Sequence, residues 1–133
     1  MITHNLGVNQ LSPEAYEWYL RYLEAMDRLD LGDYLAFLSD DCRMQFNNGP
    51  ALVGKAAIAG MLEGYWTSFS EIEHDLLNIY GTDRAFALEA ANRYVRRDGA
   101  RVTVCACAFT DRGEQGLVRS VRLYADASPL FAS

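Results

Sequence analysis

Three side chains in this sequence stand where they could move a proton or hold an oxyanion. Asp126 closes the last apolar stretch of the chain, Val121-Arg122-Leu123-Tyr124-Ala125-Asp126. A carboxyl group drawn into an apolar cavity there would be pushed toward the range a general acid or base needs. His74 alternates with Ile72 and Leu76 in a segment of period two, and imidazole is the side chain that ordinarily titrates nearest neutrality. Tyr22 lies beside the apolar stripe of a helical segment, where its phenol could donate to a developing oxyanion. Each residue also has a plainer reading. Asp126 could cap the strand end by accepting the amides of Ala127 and Ser128 as an Asx turn. His74 could be a satisfied partner in a sheet, and Tyr22 a core aromatic whose hydroxyl finds any acceptor.

The bulk of the chain narrows the partners. Its 133 residues favour one domain with one core. Twelve Lys and Arg against 18 Asp and Glu give a formal charge of −6, which disfavours nucleic acid and anionic membrane surfaces. There is no apolar run long enough for a membrane span and no signal-peptide pattern, so a cytoplasmic location is expected. The three cysteines, Cys42, Cys105 and Cys107, read as small hydrophobes. They are too scattered for a zinc site, and no metal or cofactor is expected.

The elements that must position these groups follow from period and punctuation. Residues 1–11 read as an N-terminal tail, and 12–133 as the single domain. Ser12-Pro13-Glu14 starts a helix whose stripe is Tyr16, Tyr19, Leu20, Leu23 and Met26. Asp33 can cap a short second helix, Tyr34 to Leu38. Cys42 to Phe46 alternates as a strand, and Gly54-Lys55 opens a third helix through Ile58, Met61, Leu62, Tyr65 and Trp66. Strands are then predicted over Glu71–Tyr80, Arg84–Arg97, Arg101–Thr110 and Leu117–Ala125, with Asp98-Gly99 the strongest hairpin signal. Helices followed by a meander predict an α+β fold. In it a curled antiparallel sheet forms a cone, with three N-terminal helices over its concave face and a pocket inside.

Register fixes which residues share the cavity. Two-residue turns at Asp98-Gly99 and Arg112-Gly113 put Phe86, Leu88, Asn92, Tyr94, Thr103, Cys105, Ser120, Arg122, Tyr124 and, by extension, Asp126 on one face. The aromatic and hydrogen-bonding mixture on that face suits a ligand. The more aliphatic face, with Val102, Val104, Ala106, Ala108, Val121 and Leu123, suits the outside and a homodimer contact. His74 joins the Asn92 face if the turn at Gly81-Thr82-Asp83 has three residues, and leaves it if the turn has two. Asn92 could orient a ligand. Arg122 could pair with Asp126 or Tyr94 in the pocket or lie outside. Trp18, Tyr19, Phe46, Met61 and Trp66 read as core first and cavity wall second.

The Tyr-rich first helix leads to Leu31-Gly32-Asp33-Tyr34-Leu35 and Phe37-Leu38-Ser39-Asp40-Asp41. Later come Gly54-Lys55-Ala56-Ala57-Ile58 and the ending Val121-Arg122-Leu123-Tyr124-Ala125-Asp126. Together these resemble the SnoaL-like polyketide cyclases of the nuclear-transport-factor-2-like superfamily, over about Tyr16 to Phe131. The resemblance implies a cone with a closed pocket, often dimeric, and metal-free acid–base chemistry: aldol cyclisation, isomerisation, epoxide opening or dehydration. It implies Asp126 as the acid/base, by its place at the end of the last strand. Limonene epoxide hydrolases are similar, but their paired Arg and Asp fall on Ala90 and Asn92 here, and their Tyr and Asn on Met44 and Phe46. The ketosteroid isomerase Tyr matches Tyr22, whereas that family's carboxylates fall near Phe46 and Cys107. His74 looks similar to the first of two His in scytalone dehydratases.

These readings lead to one expectation and one alternative. The expectation is an acid–base enzyme acting on a small apolar polyketide- or steroid-like ketone. The alternative is a non-catalytic module binding a hydrophobic small molecule. A purely structural dimerising domain is a third, weaker reading.

Overall fold

The computed structural model describes residues 2–132. Its elements run β1 (Ile2–Asn9), α1 (Pro13–Asp27), α2 (Leu31–Leu35), β2 (Leu38–Phe46), β3 (Leu52–Val53) and α3 (Lys55–Trp66). Then come β4 (Phe69–Gly81), β5 (Ala85–Arg96), β6 (Arg101–Arg112), β7 (Val118–Ala125) and α4 (Ser128–Phe131). The strands form one sheet in the order β1-β4-β5-β6-β7-β2-β3. The β4–β7 meander is antiparallel, while β1 pairs with β4 and β2 with β7 in parallel. The result is the expected α+β architecture, a curled, unclosed sheet with helices packed over it.

Local chemistry sets the helix starts. Ser12 accepts the Ala15 amide at 3.2 Å with Pro13 in the first turn, so α1 begins where the sequence predicts. The second helix begins earlier than expected, because Asp30, not Asp33, is its cap and accepts the Asp33 amide. Tyr19, Leu23, Tyr34 and Leu38 are fully buried beneath these helices. Each such side chain contributes on the order of 1.5–3 kcal/mol in transfer terms.

The segment expected to be a tail is instead an edge strand. Ile2–Asn9 lies along β4, and the Asn78 carboxamide oxygen accepts the Val8 amide at 2.9 Å.

Two turns also differ from expectation, and the first turns β6 over and carries β7 with it. Between β5 and β6, the Arg96 amide donates to the Ala100 carbonyl (2.8 Å) and the Gly99 amide to the Arg96 carbonyl (2.9 Å). Gly99 has φ +87°. The loop is therefore the three residues 97–99, with glycine in the left-handed position. Asn92 then pairs with Val104 and Tyr94 with Val102. The β6–β7 loop is longer still, and Thr110 pairs with Val121. So Val104, Ala106 and Val121 are buried, while Thr103, Cys105, Ser120, Arg122 and Tyr124 lie on the outer face. The aliphatic face is the concave one, because a narrow cone keeps a cavity only where its walls are small.

The turn between β4 and β5 is the two-residue Asp83-Arg84, with Thr82 and Ala85 bonded reciprocally. A two-residue turn alone would turn His74 outward. A bulge at Leu77, between the pairs Leu76–Ala90 and Asn78–Glu89, restores the parity. His74 therefore sits opposite Asn92, on the inner face.

Candidate active site

Asp27, at the end of α1, forms the chemical centre of the cone with His74. His74 Nδ1 lies 2.5 Å from Asp27 Oδ1, and the two side chains are 6% and 5% exposed. A carboxylate at a helix C-terminus faces the negative end of the macrodipole, and the last turn of α1 holds no basic residue. Asp27 thus sits against its own electrostatic preference, and the imidazole compensates it. A carboxylate acceptor on Nδ1 fixes the proton there and leaves Nε2 as the nitrogen that can exchange a proton with another molecule.

His74 lines an inner chamber of about 80 Å³. Its walls include Tyr19, Tyr22, Tyr34, Trp66, Leu88 and Thr110. A second, outer chamber of about 350 Å³ is lined by Met61, Val104, Ala125 and Phe131 among others. Phe46, Tyr65, Asn92, Tyr94, Ala106 and Leu123 border both chambers, so the two adjoin across these side chains. The inner volume fits only a small group, whereas the outer one falls at the lower end of small-molecule sites. At the rim, Asn47 clamps the end of β7 by bonding both the amide and the carbonyl of Ala125.

Four of the phenols inside the cone are paired. Tyr22 and Tyr34 hydroxyls lie 2.7 Å apart, and those of Tyr65 and Tyr94 lie 2.8 Å apart. Burial pushes the Tyr19, Tyr22, Tyr34, Tyr65 and Tyr94 phenols up from their ordinary value. They stay protonated and can act only as neutral hydrogen-bonding groups. Burial likewise pushes the Cys42 thiol up to about 11.

Of the residues singled out in the sequence, the structure brings His74, Tyr22, Asn92, Tyr94, Tyr19, Phe46, Met61 and Trp66 to the chambers. Three stand elsewhere. Arg122 lies outside, bonded to Asp111 at 2.9 Å and stacked over Phe109. Tyr124 is 46% exposed, with its ring against Phe109. Both follow from the three-residue β5–β6 loop, which turns β6 over and β7 with it. Asp126 is exposed and accepts the Ser128 amide at 3.0 Å, which holds its carboxyl below the ordinary range. That is the Asx-turn geometry, just past the last strand, and Asp126 borders neither chamber. Asp27 was the residue missed. Its signal was a charge on the buried stripe of α1, four residues beyond Leu23 and eight beyond Tyr19.

Comparison with known proteins agrees with this architecture. No curated protein sequence matches the chain. A protein described as a polyketide cyclase from Xanthomonas campestris is 24% identical, with a TM-score of 0.76 over 86% of this chain and 92% of its own. An NTF2-like protein of unknown function from Burkholderia pseudomallei is 16% identical, with a TM-score of 0.77 over 90% and 96%. An LEH-like epoxide hydrolase from M. tuberculosis is 20% identical, with a TM-score of 0.71 over 89% and 86%. These structures share the cone fold. The family model described as SnoaL-like domain matches residues 19–121, most of the chain, and the protein belongs to the SnoaL-like domain family.

Proposed function

We propose that this protein is an acid–base enzyme that moves a proton on a small, apolar, enolisable ketone, with His74 as the base and Asp27 as its positioning residue. The carrying observation is the buried His74–Asp27 pair beside two adjoining apolar chambers. The ketone's ring would occupy the outer chamber, with its reacting carbon toward His74. Nε2 takes the α-proton, Nδ1–H stays on Asp27, and the C–H electron pair moves into an enolate. Neutral donors on Asn92 or Tyr94 hold the enolate oxygen. Return of the proton to another position gives isomerisation; attack of the enolate on a second carbonyl gives aldol cyclisation; loss of a β-hydroxyl gives dehydration. Positioned proton transfer of this kind is worth about 10²–10⁴-fold. Polyketide cyclases and epoxide hydrolases among the similar folds make a small-molecule reaction the natural use of the site.

One observation favours the binding-module reading: four of the buried phenols satisfy one another in pairs. Crystals soaked with hydroxylated tetralones separate the two. The enzyme reading expects the carbonyl end of the ligand within hydrogen-bond reach of His74. A ligand confined to the outer chamber, with its carbonyl toward solvent, would favour the binder.

A further inference from the structure

Two side-chain oxygens that face the inner chamber, Thr110 Oγ1 and Asn92 Oδ1, are buried without a hydrogen-bond partner among the described residues, and only Asn92 also borders the outer chamber. Asn92 is 7% exposed, and its carboxamide oxygen is buried with no hydrogen-bond partner among the described residues. The same residue borders both chambers and stands directly across the β4–β5 ladder from His74. A buried acceptor left unmet is costly, and in native proteins it marks a partner that arrives from outside. The remaining walls sharpen what that partner is. Among the described residues, no Arg, Lys, Asp or Glu lines either chamber. A ligand carboxylate or phosphate would lose its water there and gain no counter-charge.

From this we infer that Asn92 is the specificity-determining residue, and that the ligand is a neutral, compact ring compound presenting a hydroxyl donor to the Asn92 oxygen. This deepens the proposed function and rests on reading the cone as a small-molecule site. An alcohol or enol hydroxyl at Asn92 sets the ligand's polar end beside His74. The aromatic walls of the outer chamber, Phe46, Tyr65, Tyr94 and Phe131, take the ring. Neither an anionic substrate nor a fully apolar one satisfies both the oxygen and the walls. Sites built to hydrogen-bond a hydroxyl discriminate against analogues that lack it, because the site's own polar group is then left unpaired.

Calorimetric titration with naphthol, methylnaphthalene and naphthoate tests this without any turnover. The wild type is expected to bind naphthol about tenfold more tightly than methylnaphthalene, the scale of one well-placed hydrogen bond. Naphthoate is expected to bind at least about tenfold more weakly than naphthol. In Asn92→Leu the preference for naphthol over methylnaphthalene should vanish. Equal affinity for naphthol and methylnaphthalene would overturn the inference. So would a preference that survives in Asn92→Leu, naphthoate binding as well as naphthol, or no binding of any of the three. None of these outcomes bears on proton transfer by His74, which is read separately by isotope exchange.

Discussion

In the proposed chemistry His74 and Asp27 act as a pair because each removes the other's burial problem. A carboxylate at the negative end of a helix and an imidazole inside an apolar cone are both unfavourable alone. The aromatic residues around them add neutral donors whose protonation is secured by burial. That gives a pH prediction. The phenols of Tyr19, Tyr22, Tyr34 and Tyr65 are raised above their ordinary value of 10.0. The folded state therefore holds protons that the unfolded state releases above pH 10. The stabilisation is complete below that pH and is lost as pH rises further. Ultraviolet titration should show exposed tyrosines ionising first and the buried set ionising only with unfolding. A single smooth titration of all tyrosines in the folded protein would contradict this. Most of the chamber wall was legible from residue type, since Tyr19, Tyr22, Asn92 and Tyr94 stand where alternation or helical spacing put them. Asp27 was not, because an acid near a helix end looks like ordinary surface until its stripe is followed a further turn.

Turns decided everything that the strands could not. The apolar alternation of β5 is correct on either register, but β6 and β7 inherit their faces from loops whose length is not written in their own pattern. Gly99 at φ +87° admits the three-residue loop, and one extra residue turned the Val102–Ala108 stripe inward and Cys105 outward. The bulge at Leu77 did leave a trace: the buried positions run Ile72, His74, Leu76 and then Ile79, a phase shift of one residue in an otherwise strict alternation. Gly81 holds the corner after it. At φ +130°, a Cβ there would meet the Ala85 carbonyl oxygen at 2.3 Å. Gly81→Ala should cost about 2 kcal/mol or more, and it should loosen the register that keeps His74 inside. Gly99→Ala, where a Cβ meets open space, should cost only about 1 kcal/mol for the left-handed backbone. Denaturant midpoints of the two variants check the order; equal costs would mean that the Gly81 corner relaxes freely.

At the scale of the whole molecule, the sheet curls round a cavity whose small inner residues, Ala90, Ala106 and Ala108, leave the space that larger side chains would fill. Cone and helical cover were readable from the order of segments, since helices followed by an antiparallel meander admit few other folds, while the family was readable only as a resemblance carried by motifs such as Leu31-Gly32-Asp33-Tyr34-Leu35. The place of the acid–base pair was not, because it depends on α1 and β4 meeting across 47 residues of sequence. The most direct test of the central claim follows deuterium entry at the α-carbon of a hydroxylated tetralone in heavy water, with wild type, His74→Gln and Asp126→Asn side by side. The account predicts that the wild type and Asp126→Asn accelerate exchange alike, and that His74→Gln loses at least about a hundredfold of that acceleration. Exchange that survives in His74→Gln and disappears in Asp126→Asn would place the base at the end of the last strand and contradict it.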